Sequence, residues 1–141
     1  MLVNVNITRE FQVSADVVWN VLADWCDLSW FLGPVKVDAI KSNQGLIRRI
    51  HIPDREPFDE IMTKADIENK VIHYVIPYCY AMPFNDYQGR IEAVTLDKHN
   101  SRVNWSCQAR QGDVDKDQCF RYLQNNIVRL LDSLNLRVES L

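Results

Sequence analysis

The chain opens on a strict alternation of apolar and polar positions. Val3, Val5, Ile7, Phe11 and Val13 fall on odd numbers, and Asn4, Asn6, Thr8, Glu10 and Gln12 on even ones. A period of two means a strand with one buried and one wet face. Arg9 interrupts the apolar row, which places it near an edge. The period then changes. Val18, Val21, Leu22 and Trp25 recur at helical spacing behind Ser14, an N-cap type, and Asp16, whose charge suits a first turn. The spacing predicts a helix over 15–24. The run from Asp24 to Phe31 predicts a break and a short second helix, closed by Gly33-Pro34.

From 35 to 110 the pattern is one of strands divided by turn residues. The strands are expected at 35–41, 45–52, 58–67, 70–77, 85–96 and 102–110. Turn residues cluster at Ser42–Gly45, Pro53–Pro57, Glu68-Asn69 and Asp97–Asn100. Connections this short imply an antiparallel meander. The last segment returns to helical spacing: Phe120, Leu123, Ile127, Leu130, Leu131, Leu134 and Val138 form one apolar stripe. Asp113, Asp115 and Asp117 sit at its start and Arg137 near its end, as the helix dipole prefers. A helix over 113–138 is roughly 37 Å long. Its stripe needs a broad apolar partner, and only the sheet supplies one. The expectation is a single α+β domain spanning 1–141, with about seven antiparallel strands curved around a long C-terminal helix.

Composition agrees and narrows the class. The chain has 141 residues, 47% hydrophobic and 25% charged, with a net charge of −3. That excludes disorder. It gives no reason to expect a nucleic-acid partner. Four Trp, five Tyr and five Phe stand against four Gly, so the domain has either a well-filled core or an aromatic-lined hollow. Cys26, Cys79, Cys107 and Cys119 show no C-x-x-C pairing, and His51, His73 and His99 lack ligand spacing. Free thiols, no metal and no cofactor are the expectation. The first residues lack the features of a signal peptide, and no apolar run approaches a membrane span. A cytoplasmic protein without membrane insertion, monomeric or weakly dimeric, is expected.

Several short motifs then fall in register. Phe11–Trp19 with Leu22-Ala23-Asp24-Trp25 and Trp30 resembles the opening of the START/Bet v 1-like superfamily in its polyketide cyclase/dehydrase-like branch. Gly45-Leu46-Ile47-Arg48 resembles that branch's "G-x-x-R" strand, Phe58-Asp59-Glu60 its "x-x-E" strand and Tyr74-Val75-Ile76 its "Y-x-I" strand. Pro83 through Tyr87 resembles its "P-x-x-x-Y" strand, and Trp105 stands where the next strand often carries an aromatic. The resemblance implies the helix-grip fold, in the order β-α-α-β6-α. The plant abscisic-acid receptors share this skeleton. Their Gly-Leu-Pro gate and His-Arg-Leu latch are replaced by Pro53–Pro57 and Cys79-Tyr80-Ala81-Met82, and their cavity lysine has no counterpart near Val37-Asp38-Ala39. A hormone-receptor role is therefore not implied.

In that fold the sheet and the long helix enclose a cavity, and alternation selects its lining. Leu46, Arg48, Ile50 and Ile52 share one face, as do Phe58, Glu60, Met62 and Lys64. Tyr74, Tyr87, Trp105 and Cys107 extend it, and Tyr122, Asn126 and Leu130 face it from the helix. Arg48 and Glu60 have two readings: an ion pair across neighbouring strands, or groups that orient a ligand, with Glu60 as a general acid/base. Tyr74 and Tyr87 are either donors to a ligand carbonyl or wall residues bonded to each other. Trp25, Trp30 and Phe31 either rim the cavity mouth or staple the helical segment to the sheet. His51 points away from Arg48 by parity, so a Cys107–His51 dyad is not expected. The resulting expectation is a binder of a hydrophobic or aromatic, lipid- or polyketide-like small molecule. Its ligand contacts are Arg48, Phe58, Glu60, Tyr74, Tyr87, Trp105, Tyr122 and Asn126. An aromatase/cyclase or dehydratase using Glu60, Arg48 and Tyr74 is the alternative. A partner-binding module is a second, which the polar outer positions Gln88, Arg90, Glu92, Asn104, Ser106 and Gln108 disfavour.

Overall fold

The computed structural model describes residues 2–79 and 82–141. Met1 lies outside it, as do Tyr80 and Ala81 of the loop matched to the receptors' latch. The elements run β1 (Leu2–Phe11), α1 (Ala15–Ala23), β2 (Lys36–Ser42), β3 (Gly45–His51), β4 (Phe58–Asp66), β5 (Val71–Ile76), β6 (Phe84–Asp97), β7 (Asn100–Gln111) and α2 (Lys116–Glu139). The strands form one antiparallel sheet in the order β1-β7-β6-β5-β4-β3-β2, with β1 and β2 as its edges. This is the helix-grip arrangement, α+β, with α2 laid on the concave face.

Local chemistry sets the helix boundaries. Ser14 caps α1, its hydroxyl accepting the Val17 amide at 3.3 Å. Asp115 caps α2 in a capping box: its carboxylate takes the Gln118 amide at 2.8 Å, and the Gln118 side chain takes the Asp115 amide at 3.3 Å. That box starts the helix three residues later than the aspartate run suggested. The short second helix does not form. The amides of Asp27 and Phe31 bond back to Asp24 and Leu28 at 3.0 Å as separate turns. Asp27 takes the Ser29 amide at 2.9 Å, an Asx turn that diverts the backbone from a helix. Turns also let Trp25, Leu28 and Trp30 all reach the core.

The buried stripe of α2 is Cys119, Leu123, Ile127, Leu131, Leu134 and Val138. Phe120, expected in the stripe, is exposed; the i, i+4 row through Leu123 passes through Cys119 instead. The helix leans chiefly on β1. An Arg9–Asp132 ion pair ties it to that strand. The buried Ser133 hydroxyl accepts the Leu32 amide at 3.1 Å and ties it to the turn segment.

The sheet curves where its register slips, at Met62/Lys64, Asn85/Gln88 and Thr95/Asp97. The first slip corrects one expectation. Thr63 is the extra residue, so Lys64 pairs with His73 and turns to the convex face, away from Phe58, Glu60 and Met62. One row crosses the concave face through six strands: Leu46, Met62, Tyr74, Gly89, Cys107 and Val5. Gly89 is the gap in this row, and the Tyr74 ring fills it. A Cβ on Gly89 would lie 2.2 Å from the Tyr74 ring. Gly89→Ala is therefore expected to displace that ring and cost about 1–3 kcal/mol by overpacking. Chemical denaturation measures the loss, and near-ultraviolet circular dichroism should show the changed aromatic environment.

Candidate functional site

The concave face carries one polar cluster. Arg48 on β3 stands opposite Glu60 on β4 and is only 4% exposed. Its Nε donates to Glu60 Oε1 at 2.6 Å, and Nη2 lies 2.6 Å from the same oxygen in the ion pair. Nη1 donates to the Trp25 carbonyl at 3.1 Å, and the guanidinium lies 3.4 Å from the centroid of the Trp25 ring. Trp25 in turn donates from Nε1 to the Glu60 carbonyl at 3.2 Å. The turn segment is thus pinned to two strands through one ion pair. Of its two readings, the cross-strand pair is what the geometry contains. Trp25 staples the segment to the sheet rather than rimming a mouth.

Beside it lies an aromatic network. The hydroxyls of Tyr74 and Tyr87 are 2.6 Å apart, and Trp105 Nε1 donates to Tyr74 Oη at 3.0 Å. Trp25 and Tyr74 rings stand 5.3 Å apart, Tyr74 and Tyr87 5.5 Å, and Phe84 and Tyr87 5.2 Å. Burial pushes both phenols above their ordinary value of 10.0, and the Glu60 charge adds to the rise. Burial also pushes the Cys107 thiol to about 11, outweighing the Tyr87 hydroxyl that reaches it. These groups stay protonated at neutral pH, so the tyrosines are hydrogen-bonding groups rather than bases and Cys107 is a poor nucleophile. His51 pairs with Asp38 at 2.8 Å on the convex side, far in register from Cys107. No Cys107–His51 dyad is built.

The remaining site residues surround this cluster. Phe58 is buried opposite Ile50. Tyr122 and Asn126, one turn apart on α2, are half-buried, and the Tyr122 ring lies 6.3 Å from Phe84. Because α2 leans on β1, the β3–β4 side of the concave face has less helix over it. Leu46, Ile52 and Met62 are only half-buried there, and so is Leu130 on the helix. Glu60 lies on this more open side, its side chain 14% exposed.

Sequence reasoning placed Gly89 and Cys107 on this face without their roles, and missed Phe84. Gly89 and Phe84 make room for and flank the tyrosines, and Cys107 contacts Tyr87. The facing Tyr74 and Gly89, a large residue beside the smallest on paired strands, was the available signal. No group of three potential metal ligands occurs among the described residues, and no described helix is long and apolar enough to cross a membrane.

With this geometry in place, comparison with known proteins is informative. The profile of the family described as "Polyketide cyclase / dehydrase and lipid transport" matches residues 3–139. The chain belongs to this family. No protein of curated function matches it significantly. Among solved structures, the aromatase/cyclase ZhuI of Streptomyces sp. R1128 superposes with a TM-score of 0.80 at 22% identity, over 99% of this chain and 94% of that one. Norcoclaurine synthase of Thalictrum flavum, in complex with a transition-state analogue, gives 0.76 at 17% identity over 99% and 96%. XoxI of Bacillus cereus gives 0.85 at 16% identity over 96% and 95%. Identities this low establish a shared fold.

Two outcomes are expected for this polyketide cyclase/dehydrase family member. Arg48→Met strands Glu60 and should cost about 3–5 kcal/mol, whereas adding Glu60→Leu should recover most of the loss, as read by urea denaturation. The second concerns pH. A phenol whose folded pKa is raised contributes its full stability below the unfolded value of 10.0, and loses it as pH climbs above that. Stability should fall above pH 10, by up to about 1.4 kcal/mol per pH unit for each buried tyrosine. Phenolate absorbance from Tyr74 and Tyr87 should emerge together with unfolding, and Tyr87→Phe should remove part of that late amplitude.

Proposed function

We propose that this protein binds a hydrophobic, aromatic small molecule between the concave face of the sheet and α2. The observation that carries the reading is the composition of that space. Glu60 on the sheet and Asn126 on α2, both half-buried, stand among apolar and aromatic side chains, of which Leu46, Met62, Tyr122 and Leu130 are only partly buried. Small-molecule sites are built this way. The family description and the aromatase/cyclase relative support the same class of ligand. Norcoclaurine synthase, solved with dopamine and hydroxybenzaldehyde, supports an aromatic one. Arg48, Phe58, Tyr74, Tyr87 and Trp105 form the floor, and Tyr122 and Asn126 the contacts from the helix.

A second reading, acid/base catalysis of cyclisation or dehydration on the same ligand, is favoured by one observation. Glu60 stands on the strand paired with that of Tyr74, and its charge adds to the rise of that phenol. Arg48 then holds Glu60 in place rather than meeting substrate. Glu60→Gln should abolish turnover of any substrate found, and unchanged turnover would remove Glu60 from that role. The convex face is polar: two surface grooves of about 470 and 440 Å³ share His73 and Arg90. That does not favour an apolar partner interface.

The binding reading is tested by native mass spectrometry and thermal shift with aromatic, polyketide-like compounds. A one-to-one complex is expected. Ligand at a hundred times Kd adds about 2.7 kcal/mol. That raises Tm by roughly 5–10 °C in a domain of this size. Asn126→Leu should weaken binding while leaving the unliganded Tm near the wild-type value. A panel that yields neither complex nor shift would overturn the reading.

A further inference from the structure

The polar groups on the concave face differ in what they still have to offer. Tyr74 and Tyr87 are 3% and 6% exposed and bonded to each other. Trp105 spends its only N–H on Tyr74. Every nitrogen of Arg48 is engaged, on Glu60 or on Trp25, with the Trp25 ring against its face. Glu60 is different. The Arg48 hydrogen bond and the closest ion-pair contact both end on Oε1, and Oε2 receives no hydrogen bond from the described residues. Its side chain is also more exposed than Arg48's, 14% against 4%. The atom left over in this cluster is thus a carboxylate acceptor.

We propose that the ligand presents a hydrogen-bond donor, the O–H of a phenol or the N–H of an amine, to Glu60 Oε2, and that carboxylate-bearing ligands are selected against. The inference rests on the binding reading above and names its ligand class. An acceptor that ordinary solvent reaches is satisfied by water when the site is empty. A bound aromatic molecule that displaces this water has to replace its hydrogen bond or leave the carboxylate short of one. A methyl ether on the same ring fills the space without supplying the donor. A carboxylate brings a second anion against Glu60, and the one nearby cation is already held in place. Bonds to charged acceptors are roughly twice as strong as neutral ones, so the preference should be easy to measure.

The test is a series on one ring, titrated into the wild-type protein by calorimetry: naphthalene, naphthol, methoxynaphthalene, naphthylmethylamine and naphthoate. Naphthol or the amine should bind at least about tenfold tighter than methoxynaphthalene, with naphthoate weakest. Whichever of the two donors leads assigns the phenol or the amine. The Glu60→Gln variant, which keeps an acceptor oxygen and removes the charge, should narrow the gap between naphthol and naphthoate. If that variant does not fold, the wild-type ranking alone decides. Naphthalene bound with naphthoate equal to or ahead of naphthol and the amine overturns the donor inference and leaves the binding reading standing. No binding by any member, naphthalene included, overturns both.

Discussion

A guanidinium in an apolar interior needs an anion beside it, and that constraint organises one half of this molecule. Arg48 meets it with Glu60 from the next strand, and turns another donor to the carbonyl and its face to the ring of Trp25. Each partner comes from a different stretch of chain. The pair therefore fixes the β3–β4 register, and it seats the segment after α1 against the sheet. Trp25 closes the loop by bonding the backbone of Glu60. Without this arrangement the segment between Asp24 and Val35 would keep its turn hydrogen bonds, the Leu32 bond to Ser133 and the Cys26 bond to the Ile47 carbonyl, but no charged anchor.

The other half is held differently. There α2 rests on β1 through a largely apolar face, with Ser133 and the Arg9–Asp132 pair as ties. Between a polar anchor on one side and an apolar one on the other lies the aromatic network of Tyr74, Tyr87 and Trp105. The sheet is filled by rings at its centre and less covered where the helix leans away. The proposed site follows from that asymmetry, since the same tilt that buries Cys119 and Leu123 leaves Leu46 and Met62 only partly covered.

Much of this was legible in the residues. The alternation of β1 and of the β6–β7 hairpin, the Ser14 cap and the stripe of α2 all follow from period and capping chemistry, which act over a few residues. The Arg48–Glu60 pair followed from parity on adjacent strands. What escaped depends on contacts distant in sequence or on a single inserted residue. Thr63 shifts the register of β4 by one, so Lys64 faces outward although the alternation is sound up to Met62. The helix expected near Leu28 gave way because three large side chains, Trp25, Leu28 and Trp30, are all drawn into the core. The place of Gly89 beneath a tyrosine ring depends on strand pairing between β5 and β6.

The two free margins of the sheet meet solvent on unequal terms. The β1 margin has α2 leaning on that strand, and Arg9 on it is tied to the helix. The β2 margin is open, seven residues long, and carries Lys36, Asp38 and Lys41, all exposed. A strand arriving from a neighbouring copy would have to place its backbone alongside two lysines that prefer water. Charge on the short margin thus discourages copies from joining sheet to sheet, so a curved platform can keep an unpaired edge without seeding aggregation.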